Sequence, residues 1–187
     1  MGKTGIFNLI KYSALCILLF LSFLTGCKSP NEPAPASSEY FPLAVGNKWY
    51  YSTDGVSRTS DSFTLIDEIT GTKTIDNKMY YEVISTDFVS YTISTFYYRF
   101  EGNKLLLRNE KGEKIVADFS LNLNDKAYWE ENLWVTEKND DIITFGSTPS
   151  MKDWGYAVTY KKGIGMIYSY SNNFGYKSKE LVKSEIK

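Results

Sequence analysis

The side chains that could do chemistry in this chain are carboxylates and aromatic rings. Adjacent acids stand at Asp67-Glu68, Glu130-Glu131 and Asp140-Asp141. Glycosidic bonds are cleaved by two carboxylates about 5–9 Å apart across a cleft. Neighbours on a strand point to opposite faces, so no adjacent pair can serve alone. A working pair would have to come from different strands, and solvated surface charge is the commoner origin of such acids. The 15 tyrosines and 4 tryptophans could instead form a platform on which sugar rings stack. Tyr97-Tyr98, Trp134, Trp154 and Tyr168 to Tyr170 are the candidate members. Tyrosine is also a favoured strand residue whose ring packs while its hydroxyl stays wet, so most of these have a structural reading.

Other chemistries are closed by composition. The chain has no histidine, which excludes Ser-His-Asp and Cys-His catalysis and His-ligated zinc or haem. Its net charge of −1 lacks the basic excess that nucleic acid requires, so no nucleic-acid partner is expected. Asn122-Leu123-Asn124-Asp125 is too thin for a calcium loop, and neither a phosphate-cradling glycine loop nor a dinucleotide fingerprint occurs. No catalytic residue, metal ligand or cofactor is assigned, and the binding residues are left unknown.

Only two cysteines occur, Cys16 and Cys27. Lys3 and Lys11 precede a run from Ser13 to Leu24 (SALCILLFLSFL) that carries no charge. Twelve residues fall short of the ~20 apolar residues of a spanning helix and read as the apolar core of a signal peptide. The run ends in Leu24-Thr25-Gly26-Cys27, which resembles the lipobox of bacterial lipoproteins. The resemblance implies cleavage before Cys27 and acylation of its thiol, palmitate included, by the lipoprotein-processing enzymes. Two or three acyl chains give stable anchoring where one gives only marginal binding. Lys28 follows the cysteine where an Asp would resemble an inner-membrane retention signal, so the outer membrane is the expected location in a diderm envelope. With residues 1–26 removed the chain loses Lys3 and Lys11 and no acid, reaching a net charge of −3. It then contains neither a free thiol nor a disulfide.

Residues 28–39 (KSPNEPAPASSE) hold Pro30, Pro33 and Pro35 and cannot build a core. At ~3.1 Å per residue such an extended tether reaches roughly 35–40 Å. Three parts are therefore expected: signal peptide 1–26, lipidated Cys27 with a Pro-rich tether to 39, and one domain over 40–187.

From Asn47 onward, short alternating runs are separated by turn residues. Trp49/Tyr51, Phe63/Leu65, Met79/Tyr81/Val83, Tyr91–Phe100, Leu105–Leu107, Ile115–Ala117, Leu133–Thr136, Ile142–Phe145, Tyr156–Tyr160, Met166–Tyr170 and Glu180–Ile186 carry the strand signal. Turn signals include Asp54-Gly55, Gly102-Asn103, Asn139-Asp140-Asp141, Gly163-Ile164-Gly165 and Asn172 to Gly175. This spacing predicts an all-β domain, an antiparallel meander of about ten strands forming a strongly curved sheet or a barrel, with little helix. Asn124–Asn132 and Lys177–Lys187 are the two helical candidates, neither with a clear apolar stripe.

Tyr40-Phe41-Pro42-Leu43 with Gly46-Asn47-Lys48-Trp49-Tyr50-Tyr51 resembles an opening, Phe-Pro-Leu-x-x-Gly-Asn-x-Trp-x-Tyr, found in uncharacterised bacterial secreted proteins and lipoproteins. Lys162 to Ile167 (KGIGMI) is similar to the glycine-containing strand near the end of such proteins. The resemblance implies no activity, and the residues have a structural reading: Pro42 and Gly46 shape the approach to the first strand, and Trp49 fills the core. Gly163 and Gly165 would permit a bulge or tight bend. The start also loosely resembles lipocalins, although Gly46 to Trp49 is one residue longer than their Gly-x-Trp. The expected function is that of a membrane-anchored envelope lipoprotein, non-catalytic, binding a hydrophobic ligand or an envelope protein, or structural. A carbohydrate-binding or glycan-processing role is the alternative.

Overall fold

In a computed structural model the described residues are 39–53, 62–147, 155–171 and 177–187. The signal peptide, Cys27, residues 28–38, the turns at Asp54-Gly55 and Asn172 to Gly175, and Trp154 lie outside them. Each alternating run contributes a strand, although Phe63, Tyr91, Leu133 and Ile186 fall outside: β1 Lys48–Thr53, β2 Leu65–Ile75, β3 Lys78–Asp87, β4 Thr92–Glu101, β5 Lys104–Asn109, β6 Gly112–Asp118, β7 Trp134–Lys138, β8 Ile142–Gly146, β9 Tyr156–Lys161, β10 Gly165–Ser171 and β11 Lys177–Glu185. The domain is all-β, as expected, and no α-helix occurs among the described residues. Both helical candidates are corrected. Residues 177–185 form β11, whose backbone groups are taken by β1 and β10 on either side. Residues 124–132 are turns and irregular chain.

All eleven strands share one sheet, in the order β6-β5-β4-β3-β2-β1-β11-β10-β9-β8-β7. The chain starts in the middle, meanders out to β6, crosses over through residues 119–133 to β7, and meanders back until β11 pairs with β1. Every paired neighbour is antiparallel. Following that alternation around the sheet makes β6 and β7 run the same way. A meander cannot join two such strands antiparallel, and the sheet stays open there. The crossover covers the β7 edge itself: Asn124 N–H donates to Val135 O at 2.9 Å and Val135 N–H to Asp125 O at 2.9 Å. An unpaired edge would otherwise be a template for foreign strands.

The open sheet is strongly curved, because rings from both of its arms meet. Phe41 lies 5.3 Å from Trp49 on β1, 5.6 Å from Tyr98 on β4 and 6.1 Å from Tyr160 on β9. Phe119, at the start of the crossover, lies 5.2 Å from Tyr160 and 6.3 Å from both Phe100 and Phe145. Two buried clusters result, and Leu43, Tyr98 and Met166 pack against both.

The two distinctive strings of the sequence form one structural unit. Trp49 Nε1 donates to Ile164 O, and Tyr51 Oη donates to Met166 O at 3.0 Å. Gly165 lies beneath the indole at φ +109°, and a Cβ there would stand 2.8 Å from Trp49 Nε1. Asn47 is fully buried, donating Nδ2–H to Pro42 O at 2.7 Å and accepting from Lys187 N–H at 2.9 Å. The Gly-Asn-x-Trp spacing thus ties the chain start, β2, the β9–β10 turn and the C-terminal segment together.

Candidate functional site

The strand directions divide the domain into two ends. The turns at 76–77, 102–103, 139–141 and 162–164 share one end with Glu39, whose carbonyl accepts from Gly163 N–H at 2.6 Å. The other end holds the last residues of β1 and β3 and the first of β2 and β9. There an open cleft of about 280 Å³ is lined by Thr53, Leu65, Asp87, Tyr156, Ser169, Tyr170, Ser171, Ser178 and Lys179.

Strand alternation explains which side chains reach it. Trp49 and Tyr51 are buried on the concave side of β1, and Thr53 is the next residue on that side. Asp67 is paired with Trp49 and Leu65 with Tyr51, so both β2 residues face the same interior. Lys179 stands opposite Thr53 on β11. Its ammonium reaches across Tyr51, 4.1 Å from the ring centroid, to Asp67 Oδ2 at 2.5 Å. Asp67 and Lys179 are only 15% and 20% exposed. Asp67 Oδ1 is buried and has no hydrogen-bond partner. A buried acceptor without a donor costs about 1–3 kcal/mol.

Burial, and then the Asp67 charge, push the Tyr51 phenol well above its ordinary range, and the same two causes raise Tyr98. Both stay neutral, and Tyr51 donates to Met166 O. Tyr156 is 40% exposed, yet desolvation by the surrounding protein still raises its phenol. That combination is what a side chain lining a concavity shows. Asp87 is held below the usual carboxylate range by the amides of Ser90 and Val89, which donate to its Oδ1 at 3.1 and 2.8 Å. Beside the cleft, the β3–β4 hairpin exposes Phe88, Val89, Tyr91 and Ile93.

The acid pairs do not act as pairs. Asp67 turns inward to Lys179, whereas Glu68 turns outward to Lys48 at 3.1 Å. Asp141 bonds Lys161 at 3.0 Å, and Glu130 and Glu131 lie on the crossover. The aromatic candidates are dispersed. Tyr98 is in the core, Tyr97 lies under Lys73 on the convex side, and Trp134 lies under Lys126 at the β7 edge. Among the described members of that set, only Tyr170 lines the cleft. The Asp125 carboxylate closes its own turn on Asn122 N–H at 2.7 Å, and no group of three or more potential metal ligands occurs among the described residues.

A second charged cluster is closed upon itself. On the convex face Tyr80 is fully buried, with the Arg99 and Arg108 guanidinium carbons 5.7 and 6.0 Å from its ring centroid. Tyr80 Oη donates to Glu113 Oε1 at 2.5 Å, and Arg99 contacts both Glu113 oxygens at 2.7 and 2.9 Å. The Arg99 bonds chiefly lower the Glu113 carboxyl to about 2. Such a saturated network staples β3 to β6 and leaves no group for a ligand.

Neither Lys179 nor Tyr156 stood out in the sequence. The inward period of β1 together with an acid on the next strand was the available signal, but the partner of Asp67 depends on β11 lying beside β1. No protein-family model matches the chain, and neither a curated protein nor a solved structure is significantly similar to it.

Proposed function

We propose that the chain is a cell-envelope lipoprotein, anchored through acylated Cys27, whose β domain is a non-catalytic binding module with its site in the cleft around Lys179. The cleft carries this reading: it is open and lined by groups of mixed polarity. Lys28 after Cys27 supports an outer-membrane location.

Binding of a wholly hydrophobic ligand in the interior is disfavoured, since Trp49, Tyr51, Phe145 and Tyr160 fill it. Glycan processing is disfavoured as well. A general acid needs a raised carboxyl pKa, and Asp87 is shifted the other way.

The anchor is tested by growth with labelled palmitate and fractionation of wild type and Cys27→Ser. Wild type should carry label and sediment with outer membranes, and the variant should be unlabelled, uncleaved at this site and absent from lipid-modified fractions. Normal processing and membrane retention of Cys27→Ser would overturn the anchor. For the cleft, a ligand whose binding survives both Tyr156→Ala and Ser171→Val would place binding elsewhere.

A further inference from the structure

We infer that the cleft takes a neutral saccharide unit, with Asp87 and Lys179 hydrogen-bonding its hydroxyls and the Tyr156 ring against the sugar face. The inference rests on the binding reading above and specifies its ligand. Its first support is the charge of the walls. The charged residues that line it, Asp87 and Lys179, sum to zero, which favours neither an anion nor a cation.

A neutral polyol fits both signs at once. Each sugar hydroxyl is a donor and an acceptor. One can donate to the Asp87 carboxylate, and another can accept from the Lys179 ammonium. The ammonium has three N–H groups; one meets Asp67 Oδ2 and the Tyr51 ring faces it at 4.1 Å, so donor capacity remains on the cleft side. Ser169 and Ser171 add hydroxyls on the β10 wall. Tyr156, accessible and set in a concavity, supplies the apolar face that the C–H side of a pyranose requires.

Size agrees. At about 280 Å³ the cleft is at the low end of the ~300–1,000 Å³ range of small-molecule sites, room for one or two rings rather than a long acyl chain.

The full-length acylated protein in detergent is the material for the test. A glycan array of neutral and acidic oligosaccharides would be followed by calorimetric titration of the best neutral methyl glycoside, with octanoate and octylamine as controls. Binding of neutral saccharides is expected, weakened at least ten-fold by Tyr156→Ala with no change in melting temperature, and weakened likewise by Ser171→Val. Tyr156 is accessible, so its truncation separates lost binding from lost folding. Binding that tolerates both substitutions would overturn the site assignment. Failure of all neutral saccharides, with octanoate or octylamine binding lost on Tyr156→Ala, would overturn the saccharide and leave the cleft as a binding site. If no probe of any class responds to Tyr156→Ala, the saccharide inference and the binding reading both fall.

Discussion

Lys179 Nζ and Asp67 Oδ2 stand 2.5 Å apart although 112 residues separate them, and the strands that carry them are not neighbours. β1 lies between, and the ammonium passes over its Tyr51 ring to reach the carboxylate. Breaking a buried pair leaves an uncompensated charge at a cost of about 3–5 kcal/mol, reduced here to about 2–3 by residual exposure. Lys179→Met should therefore destabilise strongly in urea titration, while Lys179→Met with Asp67→Leu should recover most of the loss. Additive costs in that cycle would show that the two groups do not interact.

The Glu113 network makes an acid-dependent prediction. The carboxyl titrates near 2 in the folded protein and near 4.5 unfolded, so its contribution is complete above about pH 4.5. It is lost as pH falls from there through 2. With Glu113 19% exposed, about 2–3 kcal/mol is at stake. Glu113→Gln should flatten the pH dependence of the unfolding free energy between pH 5 and about 2. An unchanged slope would remove Glu113 from that role.

Two glycines of one turn should differ when changed to alanine. At Gly165 the added Cβ would lie 2.8 Å from Trp49 Nε1 with φ at +109°, and a loss of about 2–4 kcal/mol is expected. Gly163 has φ +71° and nothing within 4 Å, so Gly163→Ala should cost only about 1 kcal/mol. Equal effects in chemical denaturation would refute a contact between Gly165 and the indole.

Tyr91 is 91% exposed and sits at φ +55°, a region that bulky residues seldom occupy. Tyr91→Asn should stabilise by about 0.5–1 kcal/mol, raising the melting temperature by roughly 2–4 °C. A lower melting temperature would mean that the ring makes a contact worth more than the strain.

Alternation made the strands legible but not always their faces. Met79, Tyr81 and Val83 read as one face and Tyr80, Glu82 and Ile84 as the other, yet Tyr80 is more deeply buried than Val83. Guanidinium stems from β4 and β5 cover it, and that cover comes from other strands. Lys177–Lys187 offered no stripe to decide between helix and strand. The unsatisfied backbone edges of β1 and β10 decided it. The aromatic residues singled out for a platform were visible as residue types only, and their dispersal over β4, β7 and β10 is a matter of sheet order.

The sequence alone determined the period-2 pattern, hence an all-β domain, and it marked turns or bends at Gly46, Gly102, Gly112, Gly163 and Gly165, all of which take positive φ. It also removed histidine chemistry outright. These are local or compositional properties, fixed by each residue and its near neighbours. Only the tertiary structure decided that β11 returns beside β1, that β6 and β7 end up running the same way, and that Asp67 is buried with Lys179. Those outcomes depend on which distant strands become neighbours. That choice is made by backbone pairing and ring packing over a hundred residues, which no local pattern encodes.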